Sequence, residues 1–143
     1  MNRARQLKFL SLLESIYSLC EIRTMKDFEQ AWRQILRIAR SESVIYTISH
    51  KIRNTIISVE PNSIIVRSEA SKTGSSRKLP KSDFRKVWNH LAIHKQVTCR
   101  NDKEVIVPNQ RIIMAFLARL QNCVKVTRKP QTLHLTDCQE LRF

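Results

Sequence analysis

One glycine, Gly74, stands in a chain of 143 residues. The Gly-rich loops that cradle phosphates in nucleotide enzymes need several glycines at fixed spacing, so that class is excluded. Thr73-Gly74-Ser75-Ser76 is then a flexible turn and not a Walker loop. Cysteine is thin as well. Cys20, Cys99, Cys123 and Cys138 are scattered, with no CxxC pair. This excludes a dense disulfide scaffold and implies free thiols in a reducing, cytoplasmic setting. Aromatic residues are 6% of the chain, and Phe28, Trp32, Phe84, Trp88 and Phe116 all fall on apolar stripes, where they read as core and not as base-stacking platforms. No apolar run approaches the roughly 18 residues of a membrane span. Basic residues near Met1 followed by Leu7 to Leu13 resemble the start of a secretory signal. However, Lys8, Ser11 and Glu14 interrupt the stretch and no small-residue cleavage site follows, so it reads as a first helix.

Acids are the other scarcity, and they expose what is abundant. Against 12 Asp+Glu stand 26 Lys+Arg, a formal net charge of +14. A small domain kept soluble by charge needs a net magnitude of only about 2–8. Self-repulsion opposes folding, so the excess implies a polyanionic partner. Hydrophobic residues are 42% of the chain, enough for a core, so a disordered basic tail is excluded. Residues 1–44 carry eight Lys/Arg and five Asp/Glu, a net of +3, whereas residues 45–143 carry eighteen and seven, a net of +11.

Hydrophobic spacing supplies the architecture. Leu7, Leu10, Leu13, Tyr17 and Cys20 recur at helical intervals. A second helix is signalled by Thr24 as cap and Asp27 three residues on, followed by the stripe Phe28, Trp32, Ile35, Leu36 and Ala39. Arg33, Arg37 and Arg40 share another face of that helix. The two helices are expected to pack as a hairpin over residues 1–43, a candidate for protein contact unless the stripe around Phe28 and Trp32 serves the core.

From Val44 onward the pattern becomes mixed. Ile45–Ile48, Thr55–Val59 and Ser63–Arg67 are β-branched runs, and Glu60-Pro61-Asn62 marks a hairpin between the last two. Ser68 to Lys81 reads as an exposed loop. Ser82 then caps a helix with Asp83 in its first turn and Phe84, Val87, Trp88 and Leu91 inward. Gln96–Thr98 and Val105–Val107 are short strand candidates around the turn at Arg100–Asp102. Pro108-Asn109 opens a helix to Gln121, with Ile112, Ile113, Phe116, Leu117 and Leu120 buried. Val124–Val126 and Thr132–Leu135 form a closing hairpin around Arg128–Gln131. The expected class is α+β: a helical hairpin, then a basic unit of β-hairpins and two helices over residues 44–143. The helix at Asn109 followed by a basic hairpin is the plan of a winged-helix domain.

The cations fall in loops and on exposed faces, with hydroxyls of Ser71, Thr73, Ser75 and Ser76 beside them, a composition suited to phosphate contacts. The chain is therefore expected to bind nucleic acid, acting as an accessory subunit or regulator in a larger nucleic-acid machine. Without aromatics among the basic segments, and without an RNP or GxxG signature, duplex DNA is favoured over RNA. Lys72, Arg77, Lys78, Lys81, Arg85 and Lys86 are the first phosphate-binding set, and Lys125, Arg128 and Lys129 the second. Arg111 and Arg119, eight apart, could share a base-reading face with Gln110, or Arg85 with Asn89.

Catalysis has weaker signals, and neither a catalytic residue nor a cofactor is assigned. His90 and His94, four apart, with Cys99 and one of Cys123, His134 or Cys138, could form a zinc site of no standard spacing. Glu60, Glu69 and Lys72 loosely imitate a metal-dependent nuclease site. Three further readings stay open: an RNA-binding subunit of a ribonucleoprotein, a small nuclease, and an adaptor or inhibitor whose basic face binds an acidic protein.

Overall fold

Apolar residues at helical spacing make residues 28–41 a helix, α1, with Phe28, Ala31, Trp32, Ile35, Leu36 and Ala39 all buried. The structure is a computed structural model that describes residues 28–99, 105–120, 123–128 and 130–136. The expected first helix over Leu7 to Cys20 and the Thr24 cap lie outside the described residues. The Phe28 and Trp32 stripe faces the interior, which assigns it to the core and not to a partner.

A four-stranded antiparallel sheet follows, in the order β1 (Val44–Tyr46), β2 (Arg53–Glu60), β3 (Ser63–Ser68) and β4 (Arg77–Pro80). Glu60 pairs with Ser63 across the two-residue turn Pro61-Asn62, as the Pro and Asn signals predicted. α1 grips this turn: Trp32 Nε1 donates to the Pro61 carbonyl at 3.0 Å.

The fourth strand corrects the expected loop. Ser68 to Lys81 is open only through residue 76, because Leu79 pairs with Ile64 and both are buried. The next helix, α2, spans Lys81–His94, and its buried residues Phe84, Val87, Trp88 and Leu91 are those expected. Ser82 is not its cap. Pro80 holds the N-cap position at φ −75°, ψ 149°, and the free Lys81 N–H donates to the Asn62 carbonyl at 2.8 Å. The hairpin turn thus satisfies a helix-end donor that a side chain would otherwise serve. Lys95, at φ 63°, ends the helix in a left-handed conformation.

A second, three-stranded antiparallel sheet has the order β5 (Gln96–Thr98), β7 (Gln131–Leu135), β6 (Val124–Arg128). The closing hairpin is as expected. Residues 105–107 are not a strand: β5 pairs with β7, and the Ile106 N–H goes to Gln110 Oε1 at 2.6 Å instead of to a neighbouring strand. Between the strands lies α3 (Gln110–Leu117), opened by Asn109 at φ 59°. Phe28, Trp32, Phe84 and Phe116 form a chain of rings from α1 through α2 to α3, with centroids 6.4, 5.0 and 5.9 Å apart. Such pairs contribute about 0.5–1.5 kcal/mol each beyond burial. The fold is α+β, with α1, α2, α3 and both sheets contributing to one hydrophobic core.

Candidate nucleic-acid interface

The helical period that buries Phe28 and Trp32 turns Arg33, Arg37 and Arg40 to solvent. All three are exposed. They stand one and two turns apart, spanning about 10 Å at about 1.5 Å rise per residue. None of them has an ion-pair partner among the described residues.

This ridge continues into the start of α2 through one carboxylate. Lys81 Nζ lies 3.0 Å from Glu29, and Arg85 Nη2 lies 3.2 Å from the same side chain. The Arg85 guanidinium also sits 5.1 Å from the Phe28 ring centroid, a cation–π contact that holds it over α1. The hydrogen bond from Lys81 is the main reason the Glu29 carboxyl is held below its ordinary 4.5, with the charges of Lys81 and Arg85 adding to it and partial burial opposing it. One acid shared by two cations leaves the junction positive. Lys86, exposed on α2, extends the cationic helix surface. Sequence reasoning recognised the Arg33, Arg37 and Arg40 face but left it out of the binding set. The usable signal was their i, i+4, i+7 spacing.

The expected set is otherwise dispersed. Lys72 is exposed in the loop before β4, and Lys78 points outward from that strand. Arg77 turns inward and donates from Nη1 to Asn109 Oδ1 at 3.2 Å, fastening β4 to the start of α3. Lys125 and Arg128 are both exposed on β6, at positions of opposite parity, so they leave opposite faces of the hairpin; Lys129 lies outside the described residues.

The base-reading expectation fares differently. Gln110 is buried, 2% exposed, and its amide accepts from the Ile106 N–H, so it cannot reach a base. Arg119 lies beyond the end of α3 and grips Glu42 of the α1–β1 connection, with Nη1 to Oε2 at 3.1 Å and a second, closer contact from Nη2 to Oε1. Arg111 is half-buried on α3, and Asn89 half-buried on α2. Arg111 and Arg119 are therefore not brought to one free face.

No protein-family model, curated protein or solved structure matches this chain.

The catalytic candidates do not assemble. Glu60 and Glu69 sit at opposite ends of the β2–β3 hairpin. Ser63, which faces Glu60, is six extended residues from Glu69, roughly 20 Å at about 3.3 Å each. A metal ion holds its oxygen ligands within about 2.6 Å, so the two acids cannot share one. Each already has a partner: Glu60 accepts from Ser63 Oγ at 2.9 Å, and Glu69 from the Arg53 N–H at 2.8 Å.

The His90 and His94 rings do meet, tilted at 43° with centroids 4.4 Å apart. Burial, and then the neighbouring His94, lower the His90 pKa below 6.5. Cys99 is buried, Cys138 lies outside the described residues, and among the described residues no three metal-binding side chains gather. The pair lines an open cleft of about 600 Å³ with Gln96, Thr98, Val105 and Ile106. Among the described residues lining the cleft none is an acid or a cysteine, so none of them can orient either histidine for nucleophilic catalysis.

Among the described residues, no helix is long and apolar enough to cross a membrane.

Proposed function

We propose that this protein binds nucleic acid, duplex DNA before RNA, by neutralising phosphates along the α1 ridge and the adjoining start of α2. One observation carries the reading. Arg33, Arg37 and Arg40 form an exposed row, without an ion-pair partner among the described residues, that runs into Lys81 and Arg85, with Glu29 as the acid at the junction. Side chains on a buried, ring-packed scaffold can meet a phosphate backbone without reorganising the core. Lys86 widens the contact, and Lys72, Lys78, Lys125 and Arg128 are outlying cations.

The C-terminal half supports a winged-helix-like plan within this proposal. Its order is α2, β5, α3, then the β6–β7 hairpin, with β7 between β5 and β6. In such a plan α3 would be the reading helix. Here all of α3 except Arg111 is buried, so the contact is sequence-tolerant and made to the backbone.

Exposed Val105 and Ile106 line the histidine cleft, and Ile93, 73% exposed, precedes His94 on α2. They supply an apolar patch for a protein neighbour, which fits an accessory subunit or regulator of a larger nucleic-acid machine.

The test is fluorescence anisotropy with labelled duplex DNA and structured RNA across a salt series. A log–log salt slope on the order of −4 or steeper on duplex supports several phosphate contacts. Tighter binding to structured RNA transfers the reading to a ribonucleoprotein. No binding at about 150 mM salt, where the Debye length is about 8 Å, overturns it and favours an acidic protein partner.

A further inference from the structure

The outer face of the four-stranded sheet carries a pattern separate from the α1 ridge. Strand register places Tyr46 opposite Arg53, Thr55 opposite Val44 and Arg67, and Ile65 opposite Ser58 and Lys78. Arg53, Arg67 and Lys78 therefore step diagonally across β2, β3 and β4, one strand and two residues at a time. Diagonal neighbours of this kind lie about 7–8 Å apart. All three cations are exposed, and none has an ion-pair partner among the described residues.

An aromatic ring stands at the end of this diagonal. Tyr46 is 54% exposed and makes no ring or cation–π contact among the described residues. The irregularity between Ile56 and Ser58 leaves Ile57 exposed as well, at 45%. A solvated sheet face is ordinarily polar on alternate residues. This one instead combines cations with an open ring and exposed aliphatic surface. Glu69 and Glu60 bound it at its two ends, bonded to the Arg53 N–H and to Ser63 Oγ.

We infer that this sheet face binds single-stranded DNA, with one base stacked on Tyr46 and successive phosphates following Arg53, Arg67 and Lys78. Duplex DNA does not suit it, because paired bases offer no open face to Tyr46. A stacking ring beside a track of cations is the recognition chemistry of an unpaired strand. The inference uses none of the residues of the α1 ridge and stands or falls apart from the duplex reading.

The experiment is anisotropy of a labelled oligothymidylate on the full chain, with labelled duplex measured in parallel. Tyr46→Ala is expected to weaken oligothymidylate binding about 5- to 150-fold, the loss of one stacked base. Tyr46→Phe retains binding, which separates stacking from misfolding. Arg67→Gln is expected to make the single-strand salt slope shallower by about 0.7, one phosphate contact. Neither Tyr46→Ala nor Arg67→Gln changes duplex binding. Unchanged oligothymidylate binding in both variants overturns the inference. So does single-strand binding abolished only by changes at Arg33, Arg37 and Arg40, or tighter binding of oligouridylate.

Discussion

Replacing Arg33, Arg37 and Arg40 together with glutamine isolates the ridge on α1. Glutamine keeps a helix propensity close to that of arginine. The three side chains are exposed and have no ion-pair partner among the described residues, so each change should move stability by no more than about 0.5 kcal/mol. The consequence should instead appear in binding. Each phosphate neutralised on a duplex contributes about −0.9 to the log–log salt slope. Removing three contacts should make the slope shallower by roughly 2.7. Over a fourfold rise in salt, from about 50 to 200 mM, the unaltered protein should then lose roughly 40-fold more affinity than the triple variant. The assay is duplex anisotropy across that range, with thermal unfolding as the fold control. A slope unchanged within about 0.5, with the fold intact, would refute the placement of phosphates on this ridge.

Glu29→Gln should free Lys81 and Arg85 and tighten duplex binding at low salt, while costing up to about 1 kcal/mol of stability as an exposed pair is lost. Because the folded Glu29 carboxyl is held below 4.5, that stability is present above the ordinary value and lost as pH falls through the lowered one. The gap between the unaltered protein and Glu29→Gln in urea unfolding should close on acidification. Trp32→Phe removes the donor to the Pro61 carbonyl and should cost about 1 kcal/mol by the same assay, with the hairpin turn loosened in hydrogen exchange. Gln110→Ala leaves the Ile106 N–H without its acceptor and should cost about 1–3 kcal/mol in stability while leaving the duplex salt slope unchanged.

The helices were legible because their signals are local. Phe84, Val87, Trp88 and Leu91 repeat at helical intervals, and that alone fixes which face of α2 is buried. The Pro61-Asn62 turn was equally readable. What failed depended on neighbours far along the chain. Arg77-Lys78-Leu79-Pro80 looks like loop because Leu79 is its one large apolar residue; pairing with β3 makes it a strand. Ser82 looked like a cap, yet the Asn62 carbonyl had taken the first helical N–H. The α1 ridge was hidden by averaging. A net of +3 over residues 1–44 made that region look nearly neutral, but Glu29 and Glu42 are engaged by Lys81, Arg85 and Arg119 from elsewhere in the chain. The diagonal of Arg53, Arg67 and Lys78 needs two strand registers, which no local pattern encodes.

Burial of α3 has a consequence for specificity. A reading helix must offer several side chains to base edges, and each good bidentate contact discriminates by about 1–3 kcal/mol. Seven of the eight α3 residues are buried, and the amide of Gln110 is already bonded inside. Lifting this helix from the core to read a groove would expose Ile113, Phe116 and Leu117. Large core side chains of this kind contribute about 1.5–3 kcal/mol each by their burial. That loss outweighs what Arg111 could return in base contacts. Exposed cations instead stand on α1, on α2 and on the outer sheet face, where they can meet phosphates without disturbing the core. On the proposed reading, such a surface would discriminate by the form of the nucleic acid, paired or unpaired, more than by its sequence.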